Sequence, residues 1–446
     1  MSIIKENPNV EYIHISKVKL EGIHKRYNLE IDFNDGLNIL YGQNGTGKST
    51  LIHIIANVAN CDFLRFAFID FKRISVTYSN KKTIQIIQKA DAGDKKITIK
   101  SPAGKVFSFS QRDAIETIRE SEDERFNWTP QLTYKINEFI KKNGLTIIET
   151  SYFPAFRTML EAWSSQRDLN TSHPVSSRVN RARSNEETIR QATMFSRNLF
   201  GLFLPTINYP SPLEIEQSLR DQIRDCQIRI ARYESSIFSD SFVKVFSALL
   251  NGSSIDISTE GILEEISQLT TDSNTSKMGD FEENSKTYKE LQQLVKNSSQ
   301  NEELTISASG ALAVYRDALK ERRNFQQEAF SEVDNFFDVV NSFLDNKELS
   351  YALDTNRRVP KVGLKFPDDS WSSIKVMSSG ERQLLTMLYS LNRMRKNAMV
   401  LIDEPEISLH IDWQEDLLER MLEQLGNRQI IVCTHSLQLL LDLRNI

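Results

Sequence analysis

Hydrophobic and polar positions follow three regimes along the chain: short alternating runs first, long helical periods in the middle, and short wholly apolar runs last. Residues 13–20 and 29–33 alternate and predict two strands joined by Glu21-Gly22-Ile23-His24-Lys25-Arg26-Tyr27. Lys25, Arg26 and Tyr27 either reach a bound ligand or form a solvated turn. The apolar run at 37–41 reads as a buried strand, and 51–59 as a helix packed on a sheet. Further alternating runs at 73–78, 83–87, 96–100 and 106–109 are separated by turn residues and predict an antiparallel layer. A helical stretch follows, and 146–153 reads as another strand, ending in Pro154-Ala155-Phe156-Arg157.

From 158 to 350 the pattern changes. Residues 163–184 are polar and read as a loop, with Arg167, Arg178, Arg181 and Arg183 forming either a positive patch for an acidic partner or a solvated segment. Ser211-Pro212-Leu213-Glu214 is a capping box with proline at the first helical position. Beyond it Ile215, Leu219, Ile223, Cys226, Ile230, Tyr233 and Ile237 recur every three or four residues, a heptad-like seam. A second long helical pattern covers about 311–344, and a Ser/Asn/Thr-rich region at 251–309 contains shorter helical pieces near 260–270 and 281–296. Two long helices, each roughly 40–50 Å at ~1.5 Å per residue, are expected to pack antiparallel as a stubby arm or an ordinary helical subdomain.

The last hundred residues return to α/β character. Residues 361–366 and 372–376 are strand-like, and Ser378-Ser379-Gly380-Glu381-Arg382-Gln383 opens a helix with Leu384, Leu385, Leu388 and Leu391 on its inner side. The run 398–402 reads as a buried strand ending at Asp403-Glu404-Pro405. A helix carrying Leu417, Leu418 and Met421 stops at Gly426, and a last strand, 429–433, delivers Thr434-His435-Ser436.

Composition narrows the class. The chain has 446 residues, enough for two or three domains, with 39% hydrophobic and 26% charged residues. Its net charge of −5 gives no global sign of nucleic-acid binding. Cys61, Cys226 and Cys433 are far apart, which argues against a disulfide framework or a zinc site. No apolar run approaches 18 residues and the first residues lack a signal-peptide core, so no membrane association and a cytoplasmic location are expected.

The candidate chemistry centres on Gly42-Gln43-Asn44-Gly45-Thr46-Gly47-Lys48-Ser49-Thr50, which fits G-x-x-x-x-G-K-[ST] between a predicted strand and a predicted helix. Its glycines let several N–H groups converge on one anion, and the helix adds its positive end. Lys48 is placed to reach nucleotide phosphates and Ser49 to offer its hydroxyl to Mg²⁺. An acidic pair at a strand end suits the opposite side of such a pocket: Asp403 to hold Mg²⁺, Glu404 to polarise the attacking water. Alone, a strand-end acid is as readily a solvated one, and a lone His435 a buried structural histidine.

In this order and spacing the motifs resemble ABC-type ATPases of the SMC/OLD-like group. Ser378-Ser379-Gly380-Glu381-Arg382 is similar to that group's signature form, lying 25 residues before Asp403, while His435 lies 32 after it. The resemblance implies an α/β fold: an ABC-type P-loop ATPase head, with a mixed sheet, flanking helices and an antiparallel β layer, interrupted by a helical, coiled-coil-like insertion. Its domains would be 1–157 and 351–446 for the two lobes and 158–350 for the arm. It also implies ATP and Mg²⁺ as ligands, with ATP sandwiched between two heads. Ser378, Ser379, Gly380 and Glu381 of one copy would cap the phosphate held by Lys48 of another. His435 would be the switch histidine, and Ser408-Leu409-His410 the D-loop. The family's glutamine at the sheet–arm junction has no counterpart here; Arg157 stands nearby, facing either nucleotide or arm.

Three roles follow from the resemblance. In the first, the chain is the sensor or scaffold ATPase of an antiphage complex, similar to the ATPases of the PARIS and Septu systems. It would control a separate toxic nuclease and respond to a phage-derived protein or DNA. The sequence given ends eleven residues past His435, so the nuclease is expected on another chain. In the second, it is an SMC-like DNA-repair or DNA-end-processing ATPase, which the short arm and the lack of a C-x-x-C hook disfavour. In the third, a transporter's nucleotide-binding subunit, the signature form and the arm fit poorly.

Overall fold

The computed structural model describes residues 13–91, 93–122, 129–170, 178–251, 261–262, 264–266, 268–269, 302–354, 359–394, 398–407, 409, 411–425 and 428–436. They fall into two compact units, 1–212 with 377–446, and 213–376.

The first unit holds two sheets. One is antiparallel, in the order β2–β1–β4–β5–β6–β7, from β1 (Ile15–Ile23), β2 (Tyr27–Asp32), β4 (Arg73–Tyr78), β5 (Thr83–Asp91), β6 (Asp94–Lys100) and β7 (Val106–Ser110). Its alternation is the one seen in the sequence: Leu20, Ile74, Ile86 and Ile99 form one buried row across four strands. The other sheet is wholly parallel, in the order β3 (Leu37–Tyr41), β13 (Ile430–Thr434), β12 (Met399–Asp403), β8 (Thr150–Phe153). Every residue of β12 and β13 is buried, as central strands covered on both faces must be. Helix α1 (Lys48–Ala59) lays Leu51, Ile52, Ile54, Ile55 and Val58 into the core. Gln429 joins the sheets: its amide exchanges hydrogen bonds with both main-chain groups of Ile15 and also donates to Asn34 O.

Several sequence expectations change. The strand expected at 146–153 forms only over β8, four residues long. Much of 163–184, expected as loop, is helical, in α4 (Arg157–Asn170) and α5 (Arg178–Phe200). The helical stretch before β8 is α2 (Gln111–Glu122) and α3 (Gln131–Lys142).

In the second unit α6 (Pro212–Asn251) and α7 (Glu302–Asn341) run antiparallel. Tyr233 stacks on Phe325 at 3.8 Å between ring centres, Cys226 lies against Ala329, and Arg322 pairs with Glu234. Each helix has 40 residues, about 60 Å at 1.5 Å per residue, longer than its seam suggested. The seam of α6 lapses after Ile237, and Phe238, Phe242, Val243 and Phe246 are exposed, but no glycine or proline interrupts the helix there. Residues near 262 and 266 are helical and pack on Leu312, Ala313 and Leu319; the piece expected at 281–296 lies outside the described residues. A three-stranded antiparallel sheet, β9 (Glu348–Asp354), β10 (Val359–Lys365) and β11 (Trp371–Ser372), belongs to this unit. Of the strand expected at 372–376, only Ser372 is extended; Ile374–Val376 is a single 3₁₀ turn.

Candidate functional site

The parallel sheet brings the candidate residues together because β3, β13 and β12 end at one edge, where α/β folds place their ligands. The Gly42–Ser49 loop leaves β3, Asp403 and Glu404 leave β12, and His435 leaves β13.

The loop is shaped by left-handed glycines, Gly45 at φ 78° and Gly47 at φ 91°. Thr46 Oγ1 donates to Gln43 O at 2.9 Å, and Tyr27 Oη donates to Gly45 O at 2.9 Å, so of the three turn residues considered Tyr27 touches the loop. Lys48 Nζ donates to the carbonyls of Gly42 at 2.6 Å and Gln43 at 3.0 Å. Asn44 and Ser49 are exposed, and Thr50 is half-buried in the first turn of α1.

Asp403 is 4% exposed. Burial pushes its carboxyl above the usual range and the Glu404 charge adds to this, while a hydrogen bond with the Ser49 side chain and the Lys48 charge pull the other way. Asp403 Oδ1 has no hydrogen-bond partner among the described residues. A buried anionic oxygen beside a serine hydroxyl fits a divalent cation, so Asp403 and Ser49 are the residues that would hold one. Among the described residues no cluster of three or more His, Cys, Asp and Glu exists that could do so, so the remaining ligands would be phosphate oxygens and water.

Glu404 sits at φ 52°, a left-handed backbone that costs a non-glycine residue about 1–3 kcal/mol and persists only where its surroundings impose it. Its N–H donates to Cys433 O at 2.8 Å, and its Oε1 lies 2.8 Å from His435 Nε2. His435 Nδ1 lies 3.1 Å from Lys48 Nζ and 2.8 Å from Gly42 O. The neutral Nε2–H tautomer accepts from Lys48, whereas the imidazolium gives its Nδ1 proton to Gly42 O. In both states Nε2 donates to Glu404. Glu406 Oε1, which the sequence did not single out, accepts from Thr434 Oγ1 and from His435 N, both at 2.8 Å, and fixes the histidine's backbone.

The residues Ser378–Glu381 form a separate cluster at the start of α8 (Ser379–Arg393). Ser378 is the N-cap: its Oγ accepts from Glu381 N at 3.3 Å, and Glu381 Oε2 accepts from Ser378 N at 2.7 Å. Gly380 is the second residue of the helix. The contacts that join Lys48, Asp403, Glu404 and His435 do not include this cluster. Ser408 and His410 lie outside the described residues, and Leu409 is buried.

Arg157, expected to face nucleotide or arm, is instead enclosed within the first unit. It is wholly buried and donates to Gln383 Oε1 and to carbonyls of the turn after β12. The available signal was Gln383, a long polar side chain among the buried residues of α8.

The model of the family described as AAA ATPase domain matches residues 14–440. A protein of Escherichia coli named "Retron Ec83 probable ATPase" is 26% identical over 168 residues. That match takes in 34% of this chain and 29% of the retron protein, so the chain spans under a third of that relative's length. Among solved structures, the Smc head domain of Pyrococcus furiosus, bound to the C-terminal domain of ScpA, is 15% identical with a TM-score of 0.39, over 96% of this chain and 92% of that one. The Smc head domain of Pyrococcus yayanosii is 14% identical with a TM-score of 0.34, over 96% and 93%. The family match runs through both sheets, the phosphate loop, the acidic strand end and His435, and the chain belongs to the AAA ATPase domain family.

Proposed function

We propose that this protein binds and hydrolyses ATP in the manner of an ABC-type ATPase, with Glu404 as the base. The supporting observation is the hydrogen-bonded line from Lys48 through His435 to Glu404, beside Ser49 and the buried Asp403. The loop amides of 44–49 receive the phosphates, and Lys48 gives up the Gly42 and Gln43 carbonyls to contact them. Ser49 and Asp403 hold Mg²⁺, which when bound offsets phosphate charge. Glu404 takes the proton of the attacking water, and His435 Nε2–H keeps the carboxylate aimed. Ser378, Ser379, Gly380 and Glu381 of a second copy close the pocket over the phosphates, so ATP pairs two heads into a homo-oligomer.

At the level of biology, the reading is the ATPase subunit of an antiphage complex. It restrains a separate nuclease and releases it when a phage protein or DNA engages the assembly. The partial likeness to a retron ATPase supports this role. Glu404→Gln is the test. It is expected to retain ATP, to accumulate as a dimer on gel filtration, and to lose at least about 100-fold in kcat. Hydrolysis at the wild-type rate would remove Glu404 from the reaction.

A further inference from the structure

Arg157, the first residue of α4, is the bulkiest fully buried side chain of the described residues. All its acceptors are uncharged. Nε donates to Gln383 Oε1 at 3.0 Å; Nη1 to Pro154 O at 3.3 Å and Asp403 O at 3.2 Å. Nη2 donates to Glu404 O at 2.9 Å and to Pro405 O and Ile407 O, both at 2.8 Å. Four of these carbonyls belong to the turn that carries the Glu404 side chain. The turn's own hydrogen bond, from Ile407 N to Glu404 O at 3.2 Å, ends on an oxygen that the guanidinium also holds. The left-handed backbone of Glu404 is thus imposed from outside by one planar fork of donors.

The same fork reaches α8. Gln383 is wholly buried in the second turn of that helix, one turn beyond the Ser378 cap. Its Nε2 has no hydrogen-bond partner among the described residues, so the bond from Arg157 is the polar anchor of this side chain. Arg157 therefore links three elements: the end of β8 through Pro154, the acidic turn after β12, and helix α8. Core packing transmits small displacements rather than absorbing them.

We propose that Arg157 is a positioning residue that makes the aim of the Glu404 carboxylate depend on the placement of helix α8. The inference rests on the ATPase reading above and extends it. Glu404 is competent only while α8 holds Gln383 against Arg157, so contact of a partner's nucleotide with the α8 N-terminus is relayed to the catalytic carboxylate of the same chain. The relay runs through hydrogen bonds inside one unit and needs no movement of the second unit.

Gln383 is the place to test this, because removing Arg157 leaves several buried carbonyls without donors and endangers folding. Gln383→Leu keeps the side chain's bulk and deletes the acceptor; Gln383→Glu restores an acceptor. Nucleotide affinity is measured with a fluorescent ATP analogue, kcat by phosphate release, and thermal unfolding on the same samples. For Gln383→Leu, affinity within about twofold of wild type and a kcat lowered about tenfold or more are expected, since small misplacements of a reacting group carry losses of this size. Gln383→Glu is expected to recover most of that kcat. The proposal is overturned if Gln383→Leu turns over at the wild-type rate, if affinity falls in step with kcat, or if Gln383→Glu stays as slow as Gln383→Leu. Wild-type turnover by Gln383→Leu alongside an inactive Glu404→Gln removes this inference alone. Wild-type turnover by Glu404→Gln removes the reading beneath it.

Discussion

Helices α1 and α8 both open on a serine-and-glycine sequence, yet their first amides are treated in opposite ways. At α1 the N-cap is Gly47, left-handed at φ 91° and ψ 14°, with no side-chain cap and no acidic residue in the first turn. At α8 the N-cap is Ser378, extended at φ −62° and ψ 164°, closed by the reciprocal bonds with Glu381. A helix start without a cap leaves donors that an anion can satisfy, together with the positive end of the helix dipole. A boxed start has met part of that need internally and carries a carboxylate of its own. The first is left open to an anion. The second is stable without one, and an anion arriving there meets the amides of Ser379 and Gly380 beside an acid.

The contrast breaks most severely at Gly47. Open space lies where its β-carbon would sit, so a methyl group would clash with nothing, and the effect of Gly47→Ala comes from the left-handed backbone. That strain is about 1–2 kcal/mol. The variant is expected to unfold a few degrees lower in a thermal scan. Its affinity for a fluorescent ATP analogue should fall more than about tenfold, because a relaxed loop no longer aims its amides inward. Unchanged affinity would mean that the open start of α1 is not where phosphate sits.

A smaller effect of opposite sign is expected beside it, at Asp403. Its folded carboxyl is raised above the ordinary value of 3.8, chiefly by burial. An acid raised in the folded state binds more protons folded than unfolded, so ionisation costs stability as pH rises through that interval. Asp403→Asn removes the cost. The ligand-free variant should therefore melt higher than wild type at neutral pH, with the gap closing as pH falls towards 3.8, while Mg²⁺-dependent turnover is lost. A variant that melts lower than wild type at every pH would show the carboxylate to be compensated within the protein.

What made the open start legible was contiguity. The nine residues Gly42–Thr50 specify a backbone shape by themselves, and the acids and His435 were readable because each ends an apolar run. Arg157 was unreadable for the opposite reason: its acceptors lie 226 to 250 residues away, apart from Pro154, and only the assembled sheet makes them neighbours. The second half of α5 escaped because small or polar residues carry part of the buried period, with Thr188, Ala192, Thr193 and Ser196 inward where Leu or Ile would have announced a helix. The extended residues of β9 were hidden behind the long helical period that precedes them.

The closed start of α8 gives the smallest expected change in stability. Ser378→Ala deletes the acceptor of the Glu381 amide and half of the capping box, costing about 1 kcal/mol. Ser378→Gly costs only a few tenths, because glycine is itself tolerated at an N-cap. If the hydroxyl acts only as a cap, ATP-dependent dimerisation should weaken for alanine and barely change for glycine, in step with their melting temperatures. If Ser378 also touches the partner's nucleotide, both variants lose the hydroxyl equally, and dimerisation measured by gel filtration with Glu404→Gln in the background should fail alike in the two. The second outcome is expected, because the hydroxyl can accept from the Glu381 amide and still donate its own proton to a phosphate oxygen.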